Sequence, residues 1–220
     1  MTATADPYRL FSQKHGRYVR FIRSVGYPQG LRAHFASSSL LRSDLRVLDA
    51  GCGTGVATLS LREALLRRGF TPGPMHAFDL TPAMIQRFRR TLEVRGIEGI
   101  DVVQADVLRL GALPQAWVDH DLIVSASMME YLPRSEFSVG LSGLRTLLKR
   151  GGSLVLFVTR RNWLTRPLIG RWWQSNLYQA SELRAAFEEA GFSTAAFRRF
   201  PALFRYLDAW GYIVEASAGV

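Results

Sequence analysis

The chain has 220 residues, 48% apolar and 21% charged, a composition that suits one soluble α/β domain and excludes intrinsic disorder and collagen-like structure. No apolar run approaches the roughly 18 residues of a membrane-spanning helix, and residues 1–7 lack the apolar core of a secretory leader, so a cytoplasmic protein is expected. The net charge of +10 is concentrated as +6 on residues 1–46 and +7 on residues 137–181, which leaves room for an anionic partner or for two solvated basic faces.

In chain order, Tyr8, Phe11, His15, Tyr18 and Ile22 recur at the spacing of one helical face, and Arg9, Arg17, Arg20 and Arg23 take other faces. This is a basic amphipathic helix, either packed on the domain with a solvated basic side or lying on a membrane surface. Residues 1–44 are accordingly expected to form a helical arm or substrate lid on a domain of residues 45–220. Residues 45–49 read as a short apolar strand ending in an acid, and residues 56–68 as a helix. Residues 75–79 form a second strand ending in an acid. A helix to about residue 95 starts at Thr81, its N-cap, with Pro82 as its first residue. Strands follow at 99–105 and 121–126, then a helix at 137–149, a Gly151-Gly152 turn and a strand at 153–158. The next helix runs from Ser181, as its cap, to Ala190, with Gly191 as its stop, and strand-like runs at 193–200 and 206–216 close the chain. Strands alternating with helices predict a parallel, doubly wound sheet.

Cys52 is the only cysteine, and His15, His34, His76 and His120 show no metal-ligand spacing, so no disulfide within the chain and no metal site is expected. The chemistry-bearing segment is Val47-Leu48-Asp49-Ala50-Gly51-Cys52-Gly53-Thr54-Gly55. Glycine at every second position of a strand–turn–helix lets a ligand approach the backbone and leaves N–H groups at the helix start to meet it. The third glycine falls one residue early for the dinucleotide fingerprint. Three acids follow strand ends in register with this turn, Asp49, Asp79 and Asp106, where the carboxyl ends of parallel strands border one crevice. An acid after the second strand suits a ribose diol, and one after the third can accept from an exocyclic adenine amine.

These segments resemble the class I S-adenosylmethionine-dependent methyltransferases over about residues 45–160. Residues 47–55 resemble motif I, Phe78-Asp79-Leu80-Thr81-Pro82 the ribose-binding segment and Gln104-Ala105-Asp106-Val107 the adenine-contacting one. Asp121-Leu122-Ile123-Val124-Ser125, with Met129-Glu130-Tyr131-Leu132-Pro133, resembles motif IV, and residues 147–152 resemble the turn before strand five. The resemblance implies a Rossmann-like α/β fold, a mostly parallel seven-stranded sheet with helices on both faces, and S-adenosyl-L-methionine as cofactor. It implies that Asp49, Gly51 and Gly53 flank the methionine part, Asp79 the ribose hydroxyls and Asp106 the adenine amine, with Cys52, Gly55, Leu80, Val107 and Ser125 beside them. Many relatives carry Glu-His where this chain has Glu130-Tyr131, so no role of that histidine is carried over. Glu130, Tyr131, His15 and Tyr18 are candidates for an acceptor base.

Residues 160–173 hold three of the five tryptophans and four arginines, in what reads as a lid-like insertion at 160–180. The mixture suits a lid over a small-molecule pocket, an anionic lipid surface, or stacked bases with their phosphates. The expected acceptor is a lipophilic or amphiphilic small molecule, such as a membrane lipid or quinone-like precursor. The composition of the arm and of this segment resembles that of the phospholipid N-methyltransferases. RNA and a non-catalytic, cofactor-binding partner subunit are the alternatives.

Overall fold

Four consecutive buried residues make β1 (Val47–Ala50), the centre of the sheet. In the computed structural model, which describes residues 20, 22, 24–163, 165, 167 and 175–219, six more strands join it. They are β2 (Met75–Asp79), β3 (Ile100–Gln104), β4 (His120–Ala126), β5 (Leu148–Thr159), β6 (Thr194–Arg198) and β7 (Gly211–Ser217). The order is β3-β2-β1-β4-β5-β7-β6. Strands β1 to β5 pair in parallel, and β7 runs antiparallel to both β5 and β6. The chain steps outward from β1 to β3 and returns to β4 on the far side of β1. That reversal opens a crevice at the carboxyl ends of β1 and β4.

Helices cover both faces. On one lie α1 (Tyr27–Ser37) and α2 (Val56–Arg67), whose Leu31, Phe35, Leu61 and Leu65 pack on Val47, Val124 and Phe157. Beside them α3 (Pro82–Val94) sets Ile85 and Phe88 against Ala77 and Val102. The opposite face carries α4 (Phe137–Thr146) and α5 (Ala180–Glu189), with Leu141, Leu144, Leu183 and Phe187 against Leu48, Ile123, Leu154 and Leu156. Coverage of both faces explains why β5 reads Leu-Val-Leu-Phe-Val without alternation.

Four details differ from the sequence pattern. Gln179, not Ser181, precedes α5, and the Glu182 carboxylate reaches back to accept its N–H at 2.6 Å. The final strand starts at Gly211, because Ala202–Ala209 winds into 3-10 turns. Pro201 opens those turns, and the Asp208 carboxylate closes them by accepting the Phe200 N–H at 2.9 Å. Helix α4 stops at Thr146, and β5 already begins at Leu148, running through Gly151-Gly152. Residues 27–37 of the expected arm form α1, whose Leu31 and Phe35 are fully buried in the core. Of the expected helix at 8–22 only Arg20, exposed, and Ile22, buried, fall among the described residues.

Candidate active site

The turn after β1 is held from inside the protein. Gly51 and Cys52 both donate their N–H to the Phe78 carbonyl, at 2.8 and 2.9 Å, and Gly55 donates to Cys52. The Gly53 N–H goes to Asp79 Oδ2 at 2.9 Å. With these donors engaged, the N–H groups of the three glycines and Cys52 are not free to meet an anion, while Val56 and Ala57, at the start of the following helix, line the space beyond the turn. All three glycines have left-handed φ, of 76°, 54° and 82°. A Cβ on Gly51 would lie 2.2 Å from Met128, and one on Gly55 2.0 Å from the Phe88 ring. A Cβ on Gly53 would meet nothing within 4 Å. Gly51 and Gly55 therefore make room for protein, and Gly53 alone faces open space.

That space is a cavity of about 1060 Å³, mouth included, at the carboxyl ends of β1, β2 and β4. Gly51, Cys52, Gly53, Asp79, Leu80, Asp106 and Val107 line it, all of them candidates from the sequence. Asp79 anchors its own surroundings, since Oδ1 accepts the Thr81 N–H at 2.8 Å while Oδ2 holds Gly53. Burial raises its pKa above the usual carboxylate range. Asp106 Oδ1 accepts the Leu108 N–H at 2.9 Å. Burial pushes the Cys52 thiol well up, away from reactivity. No arginine, lysine or histidine is among the described lining residues, although the chain carries 28 bases.

Three candidates do not line this cavity. Asp49 is buried under the turn, where Oδ2 accepts the Thr58 N–H at 3.0 Å and its hydroxyl at 2.5 Å. Its Oδ1 is buried without a partner, and burial raises its pKa to about 7. Gly55 faces Phe88. Ser125 is fully buried inside the sheet, because strand alternation turns it away, and Ser127, just past the strand end, takes the position at the cavity.

A second chamber of about 620 Å³, mouth included, adjoins the first, and Ile22, Tyr27, Ser127 and Tyr131 line both. Ser127 sits at φ 55°, an uncommon backbone for a serine, with Oγ 3.3 Å from the Tyr27 hydroxyl. Phe157, Phe200, Trp210 and Tyr212 make the chamber walls. Glu130 also lines it, 3% exposed, with Oε2 accepting the Thr159 N–H at 2.7 Å and Oε1 the Thr159 hydroxyl at 2.8 Å. Burial raises this carboxyl to about 7. Of the four expected acceptor-base candidates, Glu130 and Tyr131 are thus brought together here. His15 and Tyr18 lie outside the described residues. Sequence reasoning missed Tyr27, Ser127, Phe200, Trp210 and Tyr212. Only the left-handed serine after a strand of the crevice stands out in hindsight.

The 3-2-1-4-5-7-6 sheet with its cavity at the switch point is the Rossmann-like architecture of class I methyltransferases. Residues 47–152 match the family model of the methyltransferase domain. Carboxy-S-adenosyl-L-methionine synthase of Dichelobacter nodosus is 31% identical over 112 residues, which cover 50% of this chain and 43% of that protein. The chain thus aligns with less than half the length of this curated relative. Magnesium protoporphyrin IX methyltransferase of Synechocystis PCC 6803, solved with bound SAH, matches with a TM-score of 0.70 at 19% identity, covering 96% of this chain and 97% of that one. A putative methyltransferase of Haloferax volcanii, in complex with the Trm112 methyltransferase activator, gives 0.73 at 18% identity over 98% and 99%. Residues 47–152 thus match a methyltransferase domain on the class I fold, whose cofactor is S-adenosylmethionine. The cavity fits that molecule. It offers carboxylates to hydroxyl and amine donors, a gap over Gly53, and no base among its described lining residues to repel the sulfonium and ammonium charges.

Proposed function

We propose that the protein transfers a methyl group from S-adenosylmethionine to a lipophilic or amphiphilic small molecule held in the second chamber. The observation that carries this reading is the shared wall. Ile22, Tyr27, Ser127 and Tyr131 belong to both spaces, so an acceptor in the apolar chamber lies next to the cofactor cavity. When bound, the cofactor supplies an already activated methyl group, so the protein's task is alignment and exclusion of water. Asp79 accepts the ribose hydroxyls and Asp106 the adenine amine, while Leu80, Val107 and Cys52 flank them and Gly53 lets the ligand close on the backbone. Asp49, Gly51 and Gly55 keep the turn in shape. Tyr27, Ser127 and Tyr131 orient the acceptor, and the aromatic walls keep water out.

The magnesium protoporphyrin IX methyltransferase that shares this fold has a large porphyrin in its name, which supports a bulky apolar acceptor here. The encounter with the acceptor is placed at an anionic membrane surface, in keeping with the basic composition and with Trp163, 85% exposed. No helix among the described residues is long and apolar enough to cross a membrane. The test is incubation with methyl-tritiated S-adenosylmethionine and either a bacterial lipid extract or total RNA. Label in the solvent-soluble fraction is expected. Label in RNA, or cofactor binding with no transfer to either extract, overturns the proposal.

A further inference from the structure

The chamber's chemistry is opposite to that of the chain around it. In a protein of net charge +10, its described lining contains no arginine, lysine or histidine and one carboxylate, Glu130. The rings of Tyr27, Tyr131, Phe157, Phe200, Trp210 and Tyr212 line the same chamber. Aromatic faces attract a cation through their quadrupole, and a buried carboxylate supplies the counter-charge that such a cation needs. An anionic acceptor would find no cationic side chain among the described lining residues and would face Glu130. A neutral alkane would leave Glu130 without anything beyond Thr159.

Resting on the reading that this chamber holds the acceptor, we propose that the acceptor is a lipophilic amine, its nitrogen paired with Glu130 and its apolar body against the aromatic walls. The ammonium first pairs with the carboxylate. For the nitrogen to react, one N–H bond breaks and its proton passes to Glu130, which becomes the neutral acid. The freed lone pair makes the new N–C bond, and the pair of the old C–S bond stays on sulfur. Thr159 suits both states of Glu130. Its N–H and hydroxyl, at 2.7 and 2.8 Å, hold the carboxylate in place, and its hydroxyl can turn to accept when the acid forms.

The ionisable groups around Glu130 do not compete for this role. Tyr131 is on its own turn, and Tyr27 and Tyr212 line the chamber from α1 and β7. Tyr178, on the segment before α5, is a phenol raised above its ordinary pKa by burial and by the nearby carboxylates Glu130 and Glu182, with Arg134 opposing. Arg134 stacks over the Tyr178 ring at 4.7 Å, and Arg160, next to Thr159, stacks over Tyr212 at 5.1 Å and donates to the Asp208 carbonyl. Neither arginine is part of the chamber lining.

Three probes of one shape test the proposal by titration calorimetry: 4-phenylbutylamine, 4-phenylbutanol and 4-phenylbutyrate. The amine should bind at least about tenfold more tightly than the alcohol, and the carboxylate should bind most weakly. Glu130→Gln should abolish the preference for amine over alcohol while leaving S-adenosylmethionine affinity unchanged. If that variant does not fold, the unmodified protein decides. Its amine affinity should fall several-fold from pH 8 to pH 6, as Glu130 gains its proton, with no change for the alcohol. Equal binding of amine and alcohol, tighter binding of the carboxylate, or no pH dependence of the difference overturns the amine assignment. Cofactor affinity, measured separately, reports on the methyltransferase reading, so the two can fail independently.

Discussion

Asp79 links the cofactor cavity to the backbone that shapes it. One carboxylate holds the N–H groups of Gly53 and Thr81, and the same group lines the cavity. Asp79→Ala should therefore weaken S-adenosylmethionine binding by about 1.5–3 kcal/mol, the range for hydrogen bonds to a charged group. Calorimetry on a variant shown to be folded measures it, and unchanged affinity would remove Asp79 from the site. The glycines separate space for ligand from space for protein. Alanine at Gly53 or Gly55 meets the same left-handed backbone cost of about 1–2 kcal/mol. At Gly55 the new carbon also collides with Phe88, in the core, so Gly55→Ala should melt well below Gly53→Ala. Gly53→Ala should instead lose cofactor affinity out of proportion to its change in melting temperature. Similar melting points with equal affinities would show that the turn does not separate these roles. The alternating glycines are plain in the sequence. Which of them faces the cavity is not, because that depends on Met128 and Phe88, contributed by the turn after β4 and by α3.

At the scale of elements, the amino ends of the strands hold a polar pair that the site does not use. His76 of β2 and His120 of β4 meet at 2.9 Å between Nδ1 and Nε2, His76 stacks on Trp117 at 4.4 Å, and His120 Nδ1 contacts the Leu147 carbonyl at 3.1 Å. Burial lowers both pKa values, that of His120 to about 4. Because the folded values are lowered, the unfolded chain takes up protons first, and this pair costs stability as pH falls from about 6.5 towards 4. Asp49 and Glu130, raised to about 7, act in the opposite sense, and their contribution is lost as pH rises through the same region. The net slope therefore does not isolate the histidines, but a comparison does. Denaturant unfolding at pH 7 and pH 5 should show the protein losing on the order of 2 kcal/mol more than a His76→Gln, His120→Gln double variant. Parallel behaviour would mean that the histidines titrate normally. Elements of this kind were legible in the sequence where their signals are local: β1 with its turn, the acids after β2 and β3, and Pro82 opening α3. The chamber was not legible. Its walls come from α1, the turn after β4, the end of β5, the 3-10 turns and the start of β7. Only the antiparallel pairing of β7 with β5 brings Trp210 and Tyr212 beside Glu130.

At the scale of the whole molecule, the two basic blocks are less free than the sequence suggests. Arg32 pairs with Glu63, Arg42 and Lys149 both reach Asp121, and Arg161 pairs with Glu182. Three acids from the neighbouring segments thus meet four of the fifteen bases of the two blocks, a long-range effect that block counting misses. Arg9, Lys14, Arg17, Arg23, Arg166 and Arg171 lie outside the described residues. Ile22, expected on a face that inserts into a bilayer, is 8% exposed and lines both cavities, so it belongs to the site instead. Phe11 and Tyr18, on the expected helix, and the exposed Trp163 remain as apolar candidates for insertion into a membrane. Attraction to anionic lipid and to RNA would both weaken with salt, since the screening length shrinks from about 10 Å at 0.1 M to about 3 Å at 1 M. Salt dependence does not distinguish them, but apolar insertion does, because phosphate neutralisation needs only the charges. The protein should co-sediment with vesicles of anionic phospholipid at low salt. A Phe11→Ser, Tyr18→Ser, Trp163→Ser variant with unchanged melting should lose most of that binding and keep any retention of RNA. If the unmodified protein ignores such vesicles at low salt, the membrane encounter is wrong, and the lipophilic acceptor must reach the chamber from solution.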